Sequence, residues 1–147
     1  MEAIFKFRLQ KVLDIKLQAE NEYMIVHSKI LREKTFIENE IKNLESQYDM
    51  YSQMQYQDTS TLNKKIAYNY MNSLFQSIQG YKDLLVDVEK RYKESTKKLV
   101  ALQSERKSLE KLKEKQYQKF LEELEEEEAM QNDEFAIQSY FRSLQDY

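Results

Sequence analysis

The sequence predicts an all-α protein: a long antiparallel two-helix coiled-coil hairpin in which the second helix is longer than the first. Three observations carry this. The 147 residues contain no proline and a single glycine, Gly80, where average usage would supply roughly ten glycines and seven prolines. Those two residues end helices and make turns, so a sheet protein or a many-looped enzyme lacks its punctuation here. Charged residues make up 33 % and hydrophobic residues 41 % of the chain. That is too much charge to bury in a globule, but it suits helices that hide one stripe each and solvate the rest. The third observation is an apolar repeat that alternates steps of three and four residues over most of the length.

The first periodic segment predicts helix 1 over about residues 3–55. Phe5, Leu9, Val12, Lys16, Ala19, Tyr23, Val26 and Ile30 keep a 4,3 alternation, and Ile37, Ile41, Leu44, Tyr48 and Tyr51 continue it. The steps Glu33–Ile37–Ile41 are 4,4, which resembles a coiled-coil stutter. Leu13, Leu17 and Leu31 broaden the stripe. A polar break follows from Gln55 to Thr61, where Asp58, Thr59 or Ser60 can cap a new helix. The turn is therefore expected at about 56–60.

Helix 2 is expected over about 61–143, with the chain forming one coiled-coil domain, 1–147. Its stripe is the cleaner one: Ala67, Met71, Leu74, Ile78, Tyr81, Leu85, Val88, Tyr92, Ser95, Leu99, Leu102, Arg106 and Leu109 hold one heptad frame without interruption. Gly80 stands off the stripe. Arg106 stands on it, as a register-setting polar residue or a snorkelling stem. A short loop makes the helices antiparallel neighbours. With the turn centred near Asp58, Phe5 should meet the region of Leu112, Ile30 should meet Asp87, and Leu44 should meet Ser73. Helix 1, about 75 Å long at 1.5 Å per residue, is then used up near residue 113. Residues 114–147 should overhang it, leaving Tyr117, Phe120, Leu121, Leu124, Phe135, Ile137, Tyr140, Phe141 and Leu144 with no partner in the hairpin. An uncovered apolar stripe usually marks an interaction site.

Charge is uneven along helix 2. Residues 89–119 carry 11 basic and 5 acidic side chains, whereas residues 120–134 carry 8 acidic and no basic ones. The run Glu122–Glu128 reads as a solvated helix face or as an electrostatic guide toward a basic partner. The overall charge is −3, and the pI near 5.4 argues against bulk nucleic-acid binding. No apolar run reaches the ~18 residues of a membrane span, and Met1–Lys11 has no signal-like apolar stretch. Without cysteine there is no disulfide, thiolate metal site or cysteine nucleophile. This suits a reducing cytoplasm.

Candidates for chemistry are few. His27 is the single histidine, and its neighbours Ile25, Val26, Ser28 and Lys29 offer no ligand set or triad. The many glutamates lie along helix surfaces with no pocket to shift their pKa. A phosphate-binding loop of the GxxxxGK[ST] type is absent. An enzyme is not expected, nor any cofactor or metal. The Met and Tyr cluster Met50, Tyr51, Met54, Tyr56, Tyr68, Tyr70 and Met71 reads as packing at the hairpin tip, or as an adaptable binding tip.

Both ends also carry short motifs. Phe5-Lys6-Phe7-Arg8-Leu9-Gln10-Lys11-Val12-Leu13-Asp14-Ile15-Lys16 resembles the N-terminal F-x-F-R-L-Q-K-[VL]-L-x-[IL]-[KR] pattern of the flagellar export protein FliJ family. Lys113-Glu114-Lys115-Gln116-Tyr117 resembles its K/R-E-K-x-[YF] stretch, and Asn132-Asp133-Glu134-Phe135-Ala136 its D-E-[FIL]-A motif. The middle matches only in pattern. The resemblance implies a cytoplasmic, stalk-like component of the flagellar type III export apparatus, held at the inner membrane through protein partners and monomeric alone. Its implied partners are the export ATPase hexamer, the cytoplasmic domain of the export gate, and export chaperones. It further implies ring contacts at Phe5, Arg8, Leu9, Gln10, Lys11, Asp133, Glu134, Phe135 and Ala136. Gate contacts are implied at the tip, at Leu44, Tyr48, Tyr51, Leu74, Ile78 and Tyr81. Two other readings share the shape: a structural coiled coil whose overhang pairs with itself, and the equivalent stalk of a related injectisome.

Overall fold

The computed structural model describes residues 3–57 and 60–145. Two helices account for nearly all of them: α1, Gln10–Gln57, and α2, Thr61–Gln145. Among the described residues there is no strand, and no helix is long and apolar enough to cross a membrane. The proposed caps Asp58 and Thr59 lie outside the described residues. Ser60 does cap α2: its carbonyl accepts the Lys64 N–H at 3.1 Å, and its hydroxyl lies 3.5 Å from the Asn63 N–H.

α1 begins at Gln10 and not near residue 3. Residues 3–7 are irregular, and a turn at Arg8–Leu9 leads into the helix. The Gln10 N–H donates to the Phe7 carbonyl at 3.1 Å, and the Leu13 N–H to the Leu9 carbonyl at 2.9 Å. The two phenylalanines explain the correction. Two residues apart on a helix, Phe5 and Phe7 would point to nearly opposite sides; on an extended chain they share one side. Leaving the helix lets both rings be covered: Phe7 is 8 % exposed and Phe5 half-buried.

The residues form two compact units, Met1–Gln18 with Gln103–Tyr147, and Ala19–Leu102. In the Ala19–Leu102 unit the helices are antiparallel, since late residues of α1 meet early residues of α2: Glu45 pairs with Lys82 at 3.6 Å, and Glu33 with Arg91 at 2.8 Å. Ile37, Ile41 and Val88 form its core cluster, flanked by Tyr81 and Leu85. Val88 is 1 % exposed. Met71, Leu74 and Ile78 are also buried. Every stripe position foreseen on α2 from Met71 to Leu109 is buried or half-buried.

The stripe on α1 differs from the expected one. Leu17, Ala19, Glu40, Gln47 and Ser52 are half-buried beside one frame of covered positions: Leu13, Lys16, Glu20, Tyr23, His27, Ile30, Lys34, Ile37, Ile41, Leu44, Tyr48 and Tyr51. They alternate by three and four throughout, so there is no stutter. Val12 and Val26 stand outside, Val26 at 45 % exposure. Counting only apolar residues passed over Glu20, His27 and Lys34, and the frame seemed to slip where it does not. Each polar member is accommodated. The His27 Nδ1 lies 2.8 Å from the Ser95 Oγ, and the His27 ring stacks on Tyr92 at 4.9 Å. The Lys34 ammonium lies 4.7 Å from the Tyr92 ring centroid. No buried side-chain nitrogen or oxygen among the described residues lacks a partner.

Register is shifted too. A mirror about Asp58 would place His27 near Lys90 and Phe5 near Leu112; they sit against Ser95 and Tyr117. Helical side chains lean toward their own N-terminus. In an antiparallel helix pair such leaning makes contacting residues, as His27 and Ser95, carry higher numbers than a mirror of Cα positions suggests, whereas Phe5 reaches Tyr117 from the irregular segment.

Candidate functional site

The Met1–Gln18 with Gln103–Tyr147 unit holds the N-terminal motif and the end of α2. The Phe5 ring meets Tyr117 edge-on at 5.3 Å and Phe120 at 5.5 Å. Tyr117 and Phe120 are therefore not partnerless, as the overhang reading had them. Leu121 and Leu124 are half-buried as well. An extended segment advances about 3.3 Å per residue against 1.5 Å for a helix, so a few N-terminal residues cover a long stretch of α2. The truly uncovered stretch starts later: each described residue from Glu125 to Gln145 is exposed.

Beneath this, Leu13 is 3 % exposed, and Lys16 bridges to Glu105 at 2.8 Å. The Gln10 amide donates to the Asp14 carboxylate at 2.9 Å, holding the first turn of α1. Arg106, on the stripe, reaches along its own helix to Glu110 at 2.9 Å, with its stem over the seam.

An open groove runs beside the N-terminal segment, lined by Phe5, Lys6, Phe7, Arg8, Gln10, Lys11 and Lys113. Four cationic side chains thus border two aromatic rings. Arg8 and Lys11 are exposed, whereas Leu9 and Gln10 are half-buried. Asp133, Glu134, Phe135 and Ala136 are all exposed on α2. They lie ~20 Å along the helix past Phe120, so the two groups of proposed ring contacts share a unit but do not form one patch.

The proposed gate contacts fall in the seam of the other unit. Leu74 and Ile78 are buried, and Leu44, Tyr48, Tyr51 and Tyr81 are half-buried. Tyr51 packs on Tyr70 at 4.6 Å. The side chains this end presents outward are neighbours instead: Met50, Met54, Leu62, Ile66, Tyr68 and Phe75 are each at least half exposed. Sequence reasoning singled out Met50, Met54 and Tyr68 but missed Leu62, Ile66 and Phe75, whose off-frame spacing is the signal that they face outward.

Charge behaves simply. Two hydrogen bonds from Arg91, at 2.8 and 3.1 Å, hold the Glu33 carboxyl below its ordinary pKa. The same bonds, with Asp87 at 3.4 Å, raise that of Arg91. Among the described residues no three His, Cys, Asp or Glu side chains are grouped to hold a metal ion. The arrangement offers surfaces for protein contact: a basic aromatic groove, an exposed apolar end and an uncovered helix.

Comparison with known proteins adds one finding. A family model described as "Flagellar FliJ protein" matches residues 5–145. No curated protein and no solved structure matches this chain.

Proposed function

Since the chain belongs to the FliJ family of flagellar proteins, a component of flagellar export, we propose that it is a stalk that engages the export ATPase ring through the unit holding both termini. The observation that carries this is the N-terminal motif itself. Phe5 and Phe7 are spent on packing against the chain. Lys6, Arg8, Lys11 and Lys113 are left around an open groove as the groups that a partner can meet. The exposed Asp133–Ala136 motif supplies a second contact further along α2. In the same reading the hairpin tip faces the cytoplasmic domain of the export gate. Its contacts are then the outward Met50, Met54, Leu62, Ile66, Tyr68 and Phe75, with Leu44, Tyr48, Tyr51, Leu74, Ile78 and Tyr81 holding the helices in place. Escort of export chaperones, and a location at the inner membrane through these partners, belong to the same proposal.

A stalk needs stiffness and separate contact surfaces and no catalytic pocket; the nucleotide chemistry would belong to the ring. The test is a pull-down of the purified export ATPase hexamer by the full chain, with Arg8→Glu/Lys11→Glu and Phe135→Ala variants. The double charge reversal should lose capture, and added salt should weaken wild-type capture. Undiminished capture by both variants would remove the proposed ring surface. A system-level test separates a flagellar from an injectisome stalk: deletion of the gene should abolish motility.

A further inference from the structure

Between Ala19 and Ile37 the spacing of α1 offers two frames, and the face turned inward is the less apolar of them. The covered frame is Glu20, Tyr23, His27, Ile30, Lys34 and Ile37. One residue earlier runs a second, Ala19, Tyr23, Val26, Ile30, Glu33 and Ile37. Both contain Tyr23, Ile30 and Ile37 and differ only in the row beside them. The seam covers Glu20 to 6 % exposure and leaves Val26 at 45 %. Contacts with α2 hold the polar row there. The His27 Nδ1 lies 2.8 Å from the Ser95 Oγ, its ring stacks on Tyr92 at 4.9 Å, and the Lys34 ammonium sits 4.7 Å from the same Tyr92 ring.

We propose that this stretch of α1 has a second register, in which it turns about its own axis and lays Ala19, Val26 and Glu33 on α2 in place of Glu20, His27 and Lys34. The two rows stand one residue, roughly 100°, apart with the shared row between them, so the turn is about 50°. Beyond Ile37 the frame of Ile41 and Leu44 is kept. The steps Glu33–Ile37–Ile41 then become 4,4, the stutter that the observed seam lacks. The seam of α2 stays as it is, because Tyr81, Leu85, Val88, Tyr92, Ser95 and Leu99 serve both frames. The buried Ser95 hydroxyl, without His27, can bond the carbonyl one turn back, as the Thr96 hydroxyl already does to Tyr92 at 2.9 Å. The exchange has balanced terms. It gives up the His27 bond, the ring stack and the Lys34 contact. It covers Val26, completes the burial of Ala19, and returns Glu20, His27 and Lys34 to water. The one charge it brings inward, Glu33, is already held by Arg91 at 2.8 Å. The second register is the minor state of such a pair. It turns His27 and Lys34 outward instead of Val26, so a partner that reads this face of α1 selects one register.

The chain has no cysteine, so paired cysteines in the full chain report each register alone. A disulfide needs Cβ atoms within about 4.5 Å. His27→Cys/Ser95→Cys traps the observed register and should close fast under mild oxidation. Val26→Cys/Ser95→Cys should also close within one chain, more slowly, and accumulate as the minor register is drawn off. Lys29→Cys/Ser95→Cys, off both frames, should stay open. Adding His27→Val to the Val26→Cys/Ser95→Cys chain makes the observed frame apolar, and should slow that closure at least about tenfold. Circular dichroism checks that each reduced variant keeps the helical hairpin. A Val26–Ser95 pair that stays open, that closes no faster than the Lys29 control, or that is indifferent to His27→Val overturns the second register.

Discussion

At the scale of single residues, polar side chains in the seam decide the alignment of the helices. Ser95 is 2 % exposed, and its hydroxyl is satisfied by His27 from 68 residues away. His27→Ala removes that bond and the stack on Tyr92, and is expected to cost about 1–2 kcal/mol. Urea unfolding followed by circular dichroism measures it. Leu13→Ala should cost about 2–3 kcal/mol by the same assay, near the low end for a buried leucine because a two-helix seam can partly close over the gap. Glu33 gives a pH signature. Its pKa is depressed in the folded chain by Arg91, so its contribution is complete above the ordinary glutamate range of about 4.3. It is lost as pH falls through the depressed value. Glu33→Gln should therefore show a shallower loss of melting temperature on acidification than the wild type, and the two curves should converge at low pH.

At the scale of elements, α2 is uneven along its length. Gly80 is mid-helix, and a Cβ added there meets nothing within 4 Å. Gly80→Ala should stabilise by about 1 kcal/mol, because only the helix-propensity term changes. Thermal melting tests it. Residues 125–145 are all exposed, with no covering helix among the described residues, and a lone helix is marginal in water. In dilute solution their amides should exchange with deuterium orders of magnitude faster than those around Val88, and a covering partner should slow them. The Phe5–Phe7 segment is the reverse case: irregular in backbone yet packed. Phe5→Ala should loosen Tyr117 and Phe120 and shift the onset of fast exchange toward residue 117.

For the whole molecule, the division of labour follows from what is left exposed. Exposed apolar side chains such as Ile25, Phe36 and Val86 are scattered along the helices, whereas three places gather exposed groups: a basic aromatic groove, an outward apolar set at the tip, and the uncovered end of α2. The chain belongs to a family of flagellar export proteins, and each of these surfaces is open to solvent.

The sequence by itself determined the two helices, the greater length of the second, the seam of α2 and the family. The first three rest on local composition and on spacing within one segment, and the family on the resemblance carried by the motifs at both ends. Only the tertiary structure decided which face α1 turns inward, where the chain leaves the helix near Phe7, and how far α2 is covered. The physical reason is common to all three. Glu20, His27 and Lys34 read as surface residues until a partner stands opposite them, as Ser95 and Tyr92 do for His27. Phe5 and Phe7 fit a helical stripe singly, but both can be buried only when the backbone between them extends to meet α2.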